Sequence, residues 1–314
     1  MIKLDKNSKI YVAGHRGMVG SSVLRKLEHE GFNNIITKTR KDLDLLNTSA
    51  VENFFRKESF DAVIIAAAKV GGIQANIDSP ADFLYENLAL QNNILHSSYL
   101  TKVKRVCFLG SSCIYPRECR QPMKESYLMD GKLEPTNEGY ALAKISGMKL
   151  AEFITEQYGI STYSLMPCNL YGTNDNYDPN KSHVLAALIK KIYDAKDKKS
   201  SKVAIWGTGN ARREFMHVDD IADAIFYFLN YKIESTFINI GWGEDVSIRE
   251  LSILIANEIG YKGQLEFDLS KPDGMMKKCL DVTKMKELGF FPKIDLMTGI
   301  RKSILEYSNI KIKG

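Results

Sequence analysis

The sequence predicts an α/β fold, a doubly wound parallel sheet followed by a smaller C-terminal α/β part. Three observations carry the prediction. Short apolar runs alternate with segments of helical periodicity through the first 170 residues, the rhythm of a parallel sheet wound with helices. Two of those runs, Asp61–Ala68 and Arg105–Leu109, are apolar almost without interruption, as expected when both sheet faces are covered. Between the first run and the first helix stands Gly14-His15-Arg16-Gly17-Met18-Val19-Gly20.

The elements follow in order. Ile10–Ala13 reads as a strand ending at Gly14, and Val19–Glu30 as a helix stopped before Gly31. Ile35–Thr37 is a second strand, and Thr48 opens a helix to about Lys57. Asp61–Ala68 is the third strand, with a long helix from Pro80 to about Leu100 behind it. Arg105–Leu109, a helix over Thr136–Tyr158 and a strand over Ser161–Met166 complete this rhythm. Beyond residue 170 the pattern loosens into a polar loop at 174–180, a helix over His183–Tyr193 and a strand at Val203–Trp206. Asp219–Leu229 reads as a helix with Asp219 at its N-cap, and Phe237–Ile240 as a strand able to return to the first sheet. A helix over Ser247–Ile259 ends at Gly260, Leu265–Phe267 is a strand, and two helices close the chain. These boundaries predict a first domain at 1–170 rejoined by about 214–245, and a second at about 171–213 and 246–314. The second caps the carboxyl edge of the sheet, where open α/β folds bind ligands.

Composition narrows the function. A net charge of +5 over 314 residues is too small to suggest nucleic-acid binding, but suits an anionic small molecule. Five cysteines, odd in number and without a Cys-x-x-Cys pair, indicate neither a disulfide framework nor a zinc site. The first residues lack a signal-peptide core. The longest apolar run, Ala62–Ala68, falls far short of the roughly 20 residues that span a bilayer. A cytoplasmic location is expected.

Tyr140 and Lys144, in Tyr-Ala-Leu-Ala-Lys, project from one helix face a turn apart. An ammonium beside a phenol favours the ionised phenol, so Lys144 is expected to lower the Tyr140 pKa and let it exchange a proton with a carbonyl oxygen. Ser111-Ser112-Cys113 leaves the end of the fourth strand. The Gly14–Gly20 turn follows a strand and opens a helix, the context in which glycines let a pyrophosphate approach helix N-terminal amides. Its spacing is not Gly-x-Gly-x-x-Gly. The second strand ends in Ile36-Thr-Lys-Thr-Arg40 without an acid. Arg40 and Arg16 there favour a 2′-phosphate, hence NADP(H), over a free ribose hydroxyl. Asp44 is placed to reach the adenine.

Together these features resemble the extended short-chain dehydrogenase/reductase superfamily over nearly the whole chain. The landmarks are the Gly14–Gly20 turn, Ala66–Ala68, Ser111, Tyr140, Lys144 and the run Arg212–Asp220. The chain more closely resembles the branch that epimerises and reduces a GDP-linked 4-keto-6-deoxy sugar. That likeness rests on Ala13–Gly20, Ala66–Gly72, Leu109–Pro116, Leu133–Glu138, Asn169–Gly172, Ser182-His183 and Ser270–Gly274. It implies a Rossmann-type first domain holding NADP(H) and a second holding a GDP-sugar, no metal, and a homodimer paired through the helices at 81–100 and 137–158.

A 4-keto sugar has acidic hydrogens at C3 and C5. Inverting them requires a base and an acid beyond the Tyr–Lys–Ser set, and the resemblance assigns these to Cys113 and His183. A nearby cation would lower the thiol pKa enough for Cys113 to act as a base, and a histidine is a natural acid near neutral pH. Tyr140 would donate to the C4 oxygen, Lys144 would hold the nicotinamide ribose and Ser111 would orient the carbonyl. Besides the Gly14–Gly20 turn, Arg40 and Asp44, the implied cofactor contacts are Leu109, Gly110, Ser111, Ser112, Tyr140, Lys144, Pro167, Cys168, Asn169, Leu170 and His183. Those to the substrate are Lys191, Trp206, Arg213, Asp273 and Lys278. Lys191 stands where relatives can carry Arg, and Cys168 where Thr is familiar. One alternative is a sister sugar-nucleotide epimerase or dehydratase with tightly held NAD. Against it, the second strand lacks its acid and no Asp-Glu pair follows Ser111-Ser112. The other is a catalytically silent NADP-binding sensor.

Overall fold

The computed structural model describes residues 4–178, 182–231, 237–271 and 273–313. Strand β1 (Ile10–Ala13) runs into α1 (Met18–His29), β2 (Ile35–Ile36), α2 (Thr48–Glu58) and β3 (Ala62–Ile65). A short α3 (Ile73–Asp78) and a long α4 (Pro80–Leu100) lead to β4 (Arg105–Leu109), α5 (Glu138–Tyr158), β5 (Ser161–Pro167) and β6 (Asn169–Tyr171). Next come α6 (Val184–Asp197), β7 (Lys202–Trp206), β8 (Arg212–His217), α7 (Val218–Asn230) and β9 (Phe237–Ile240). The chain closes through β10 (Asp245–Ser247), α8 (Ile248–Ile259), β11 (Gln264–Asp268), β12 (Lys277–Lys278), α9 (Thr283–Glu287) and α10 (Leu296–Lys313).

Six strands pair in parallel in the order β2-β1-β3-β4-β5-β9, with Val12 beside Ile64, Cys107 beside Tyr163 and Leu165 beside Ile238. Every residue of β1, β3 and β4 is buried, which accounts for their unbroken apolar runs. Helix α1 packs with α7, while α2, α4 and α5 pack in succession. The chain leaves β1 toward β2 and returns to β3 on the other side, so the strand order reverses there and a crevice opens at the carboxyl ends. Gly147 lets α5 lie close on the sheet, since a Cβ there would meet the Phe108 ring and the Gln91 amide at 2.6 Å. Gln91 ties the two long helices together by donating to the Ala143 carbonyl at 2.6 Å. A second core gathers Tyr171, Ile189, Ile205, Leu251 and Ile300, beneath α6, α8 and α10. Among the described residues no helix is long and apolar enough to cross a membrane.

The expected fold is present, including the return of Phe237–Ile240 to the first sheet beside β5. The departures have physical causes. The third strand ends at Ile65 rather than Ala68, because Ala66–Ala68 bends away to line the crevice. Asp219 is not the N-cap of α7. His217 caps it, accepting from the Asp219 N–H at 3.2 Å, while the Asp219 carboxylate reaches Ser22 Oγ at 2.8 Å. The sheet β10-β8-β12, with β6 also on β8, has no counterpart in the sequence reading. Its strands are held by charge rather than apolar alternation: Asp245 pairs with Arg212 and, at 3.0 Å, with Lys277. Leu280, Met285 and Phe290 pack in the first core. Residues 179–180 of the polar loop and Pro272 of the Ser270–Gly274 run lie outside the described residues.

Candidate active site

The crevice is a cleft of about 440 Å³ bounded by the turns after β1, β3, β4 and β5. Its floor is the glycine turn. Gly14 has φ of 85°, and a Cβ there would lie 2.6 Å from the Ala67 nitrogen. One on Gly20 would fall 2.1 Å from the Gly14 carbonyl oxygen. Backbone therefore packs directly on backbone. Gly17 caps α1 without a side-chain hydrogen bond, leaving the helix's first N–H groups for an anion in the cleft. These features fit a bound pyrophosphate. Arg16 and Arg40 are exposed, and neither forms an ion pair among the described residues. Asp44 is exposed and its carboxylate accepts from the Leu46 N–H at 3.2 Å within a turn.

Ser111, Cys113, Tyr140 and Lys144 line one wall of this cleft, and His183 joins them from the start of α6. Lys144 is 3% exposed and donates to the Leu109 carbonyl at 2.7 Å. Burial pulls its pKa down to about 7. Its Nζ lies 5.8 Å from the Tyr140 ring centroid. The expected lowering of Tyr140 by Lys144 is not observed. Burial and the neighbouring Cys113 push the phenol up, and only a hydrogen bond with Ser111 opposes them. That balance favours the protonated phenol.

Cys113 has the opposite balance. Burial acts to raise its pKa, but the Lys278 charge and hydrogen bonds from Ser111, Lys278 and Asn137 outweigh it and hold the thiol below its usual value. Lys278 Nζ is 3.4 Å from the sulfur and Asn137 Nδ2 is 3.3 Å from it. Lys278, read from the sequence as a substrate contact, is thereby the cation beside the thiol. His183 is exposed where it meets the cleft, and partial desolvation with the Lys278 charge lowers its pKa.

Met18, Val19, Gly110, Ser112, Pro167, Cys168, Asn169 and Leu170 also border the cleft. His15, Arg16, Gly20, Arg40, Asp44, Lys191, Trp206, Arg213 and Asp273 do not. Trp206 stands away on β7, 60% exposed, with Lys191 Nζ at 5.1 Å and Lys271 Nζ at 5.5 Å from its ring. This exposed cationic platform replaces the core-packing role open to a tryptophan. Arg213 donates to the Arg212 and Asp273 carbonyls at 2.8 and 3.2 Å. Both Asp273 carboxylate oxygens are engaged at 2.8 Å by Thr208, through its N–H and its hydroxyl.

Asn137 and Asn76, which line the cleft, and Asn174 beside the glycine turn were not singled out from the sequence. Asn137 lies in the run Leu133–Glu138, so its signal was present but unassigned. Asn174 donates through Nδ2 to the Arg16 carbonyl at 2.9 Å and through its N–H to Glu306 at 2.7 Å, joining the glycine turn to α10. Nothing local in the sequence announces that long-range contact.

The profile of the NAD dependent epimerase/dehydratase family matches residues 10–241. The chain is 48% identical over 299 residues to GDP-L-fucose synthase 1 of Arabidopsis thaliana, covering 95% of this chain and 93% of that one. It is 47% identical over 301 residues to GDP-L-fucose synthase of Escherichia coli strain K12, covering 93% and 94%. A solved GDP-L-fucose synthetase from Naegleria fowleri bound to NADP superposes with a TM-score of 0.91 at 26% identity, covering 99% of this chain and 96% of the other.

Proposed function

The chain belongs to the NAD dependent epimerase/dehydratase family and to the GDP-L-fucose synthases within it, and from that premise we propose that it converts GDP-4-dehydro-6-deoxy-D-mannose to GDP-L-fucose. The reaction inverts C3 and C5 and then reduces the C4 ketone with NADPH. One observation carries this reading beyond a simple ketone reductase. A thiol whose pKa is lowered beside Lys278 shares the cleft with Tyr140, Lys144, Ser111 and His183.

As a thiolate, Cys113 removes a proton from a carbon flanking the ketone, and Ser111 and Tyr140 hold the oxygen on which negative charge develops. His183 returns a proton from the other face, completing the inversion. NADPH, when bound, supplies the hydride that reduces C4. Tyr140 passes its proton to the C4 oxygen, for which a phenol held protonated by burial is suited. Lys144 and the N-terminus of α1 orient the cofactor. Lys191, Trp206 and Arg213 support a GDP site on the second domain, with 1–170 and about 214–245 holding the cofactor. Turnover of GDP-4-keto-6-deoxy-mannose with NADPH, followed at the nicotinamide absorbance and by identifying the sugar, tests the assignment. Retention of another nucleotide sugar as the only substrate would favour the sister activity. Tight NADPH binding without turnover of any 4-keto sugar nucleotide would favour the sensor.

Arg16 and Arg40 support the choice of NADPH. Loss of a charge-assisted phosphate contact costs roughly 1.5–3 kcal/mol, about ten- to a hundredfold in affinity. Arg40→Ala should weaken NADPH by that factor and leave NADH unchanged, read by cofactor titration. An equal loss for both would make Arg40 structural.

The reading extends to a homodimer and a cytoplasmic location. On α4 and α5, Tyr85 and Phe153 are 69% and 54% exposed, which supports pairing of these helices with their copies. A monomer in light scattering at micromolar concentration would overturn the dimer, and cell fractionation tests the location.

A further inference from the structure

We propose that Asn137 is a positioning residue for the epimerisation base: its side-chain amide holds the Cys113 sulfur as a thiolate and fixes its direction in the cleft. The proposal rests on the reading of Cys113 as that base. Asn137 Nδ2 donates to the sulfur at 3.3 Å. It is presented from a braced turn, Pro135–Asn137, immediately before α5. The Asn137 N–H bonds the Glu134 carbonyl at 3.2 Å, and the Glu134 carboxylate accepts from the Thr136 N–H and hydroxyl at 3.4 and 3.1 Å. Lys278 approaches the same sulfur at 3.4 Å from β12, and the Cys113 N–H bonds Ser111 Oγ at 3.2 Å. The titratable neighbours are therefore Lys278 from β12 and Tyr140 from α5, with His183 of the α6 start beside Lys278.

The two donors differ in kind. Lys278 brings charge on a flexible stem and is also drawn to an anionic substrate. The Asn137 amide cannot surrender its proton and remains a donor at every pH. A thiolate accepts such a bond strongly and a thiol weakly, so the contact favours the anion. Asn137 Oδ1 is buried without a partner among the described residues. A residue kept for packing would gain nothing by leaving that acceptor unpaired. The orientation aims the N–H at sulfur despite that cost.

Alkylation of the protein by iodoacetamide across a pH series, without substrate, tests this directly. Mass spectrometry of the Cys113 peptide excludes the other cysteines. Asn137→Ala should move the half-maximal pH upward, slowing alkylation about tenfold below the midpoint, with the plateau at high pH unchanged. Asn137→Asp, which sets a carboxylate against the sulfur, should move it further. If Asn137→Ala fails to bind NADPH and so to fold, Asn137→Leu, of similar size and without a donor, carries the same expectation. An unchanged midpoint, or a lower plateau without a shift, would overturn the proposal. Neither outcome bears on whether Cys113 is the base, because deuterium exchange into the substrate measures that separately.

Discussion

Tyr140→Phe is expected to slow ketone reduction by about 10²–10⁴-fold, the usual contribution of a positioned proton donor, or about 2.7–5.5 kcal/mol of barrier. The substitution keeps the ring in the wall of the cleft and removes only the acid. Lys144 does not hydrogen-bond the phenol. It is anchored on the Leu109 carbonyl at 2.7 Å, so its position should survive the change and NADPH affinity should stay near the parent's. Single-turnover NADPH oxidation with saturating substrate reads the step. A variant reducing the ketone at a near-normal rate would remove Tyr140 from the chemistry. Lys144 should behave differently. Because burial lowers its pKa to about 7, its charge is present below that value and lost above it. An effect of Lys144 on Tyr140 through charge alone would fade as pH rises through 7.

The parallel sheet was legible in the sequence because its signals are local. A strand buried on both faces must be apolar throughout, and a turn where Gly14 meets Ala67 backbone must be glycine. The charged sheet around β8 was illegible for the converse reason. Arg212-Arg213-Glu214 alternates no apolar face. Its strand is specified by partners far along the chain, Asp245 and Lys277. Glu214 is fully buried, accepting from the Gly243 and Leu280 N–H groups at 2.7 and 2.8 Å. Burial pushes its pKa up to about 7 despite those bonds. No window of sequence displays that arrangement.

The site divides in the same way. Tyr140 and Lys144 are fixed by one helix, and their pairing could be read from spacing. What helical spacing could not give was the balance of burial against charge. At Tyr140 burial dominates, so the lysine four residues on does not set the phenol's acidity. At Cys113 the deciding charge comes from Lys278, 165 residues away. The need for a cation beside the thiol could be deduced from chemistry, but its identity required the fold.

Cys113→Ser is expected to abolish most deuterium uptake at C3 and C5 while leaving the cofactor bound. Exchange needs only a ketone that can enolise, a base and an acid, so it should run in heavy water without NADPH turnover. Serine preserves the size of the side chain and the reach of Asn137 and Lys278, but its hydroxyl pKa is far too high for unaided proton removal. The thiol, by contrast, has a reference pKa of about 8.5, and Lys278 and Asn137 shift it toward neutrality. His183→Asn separates the second half of the inversion. It should retain some uptake wherever Cys113 reaches, yet form little inverted sugar because no acid returns a proton to the opposite face. Mass spectrometry of the recovered nucleotide sugar gives uptake, and chromatography against the epimers gives inversion. If Cys113→Ser incorporates deuterium at both carbons as fast as the parent, the thiol is packing and the base lies elsewhere. If only one carbon is affected, Cys113 serves a single centre and a second base must face the other.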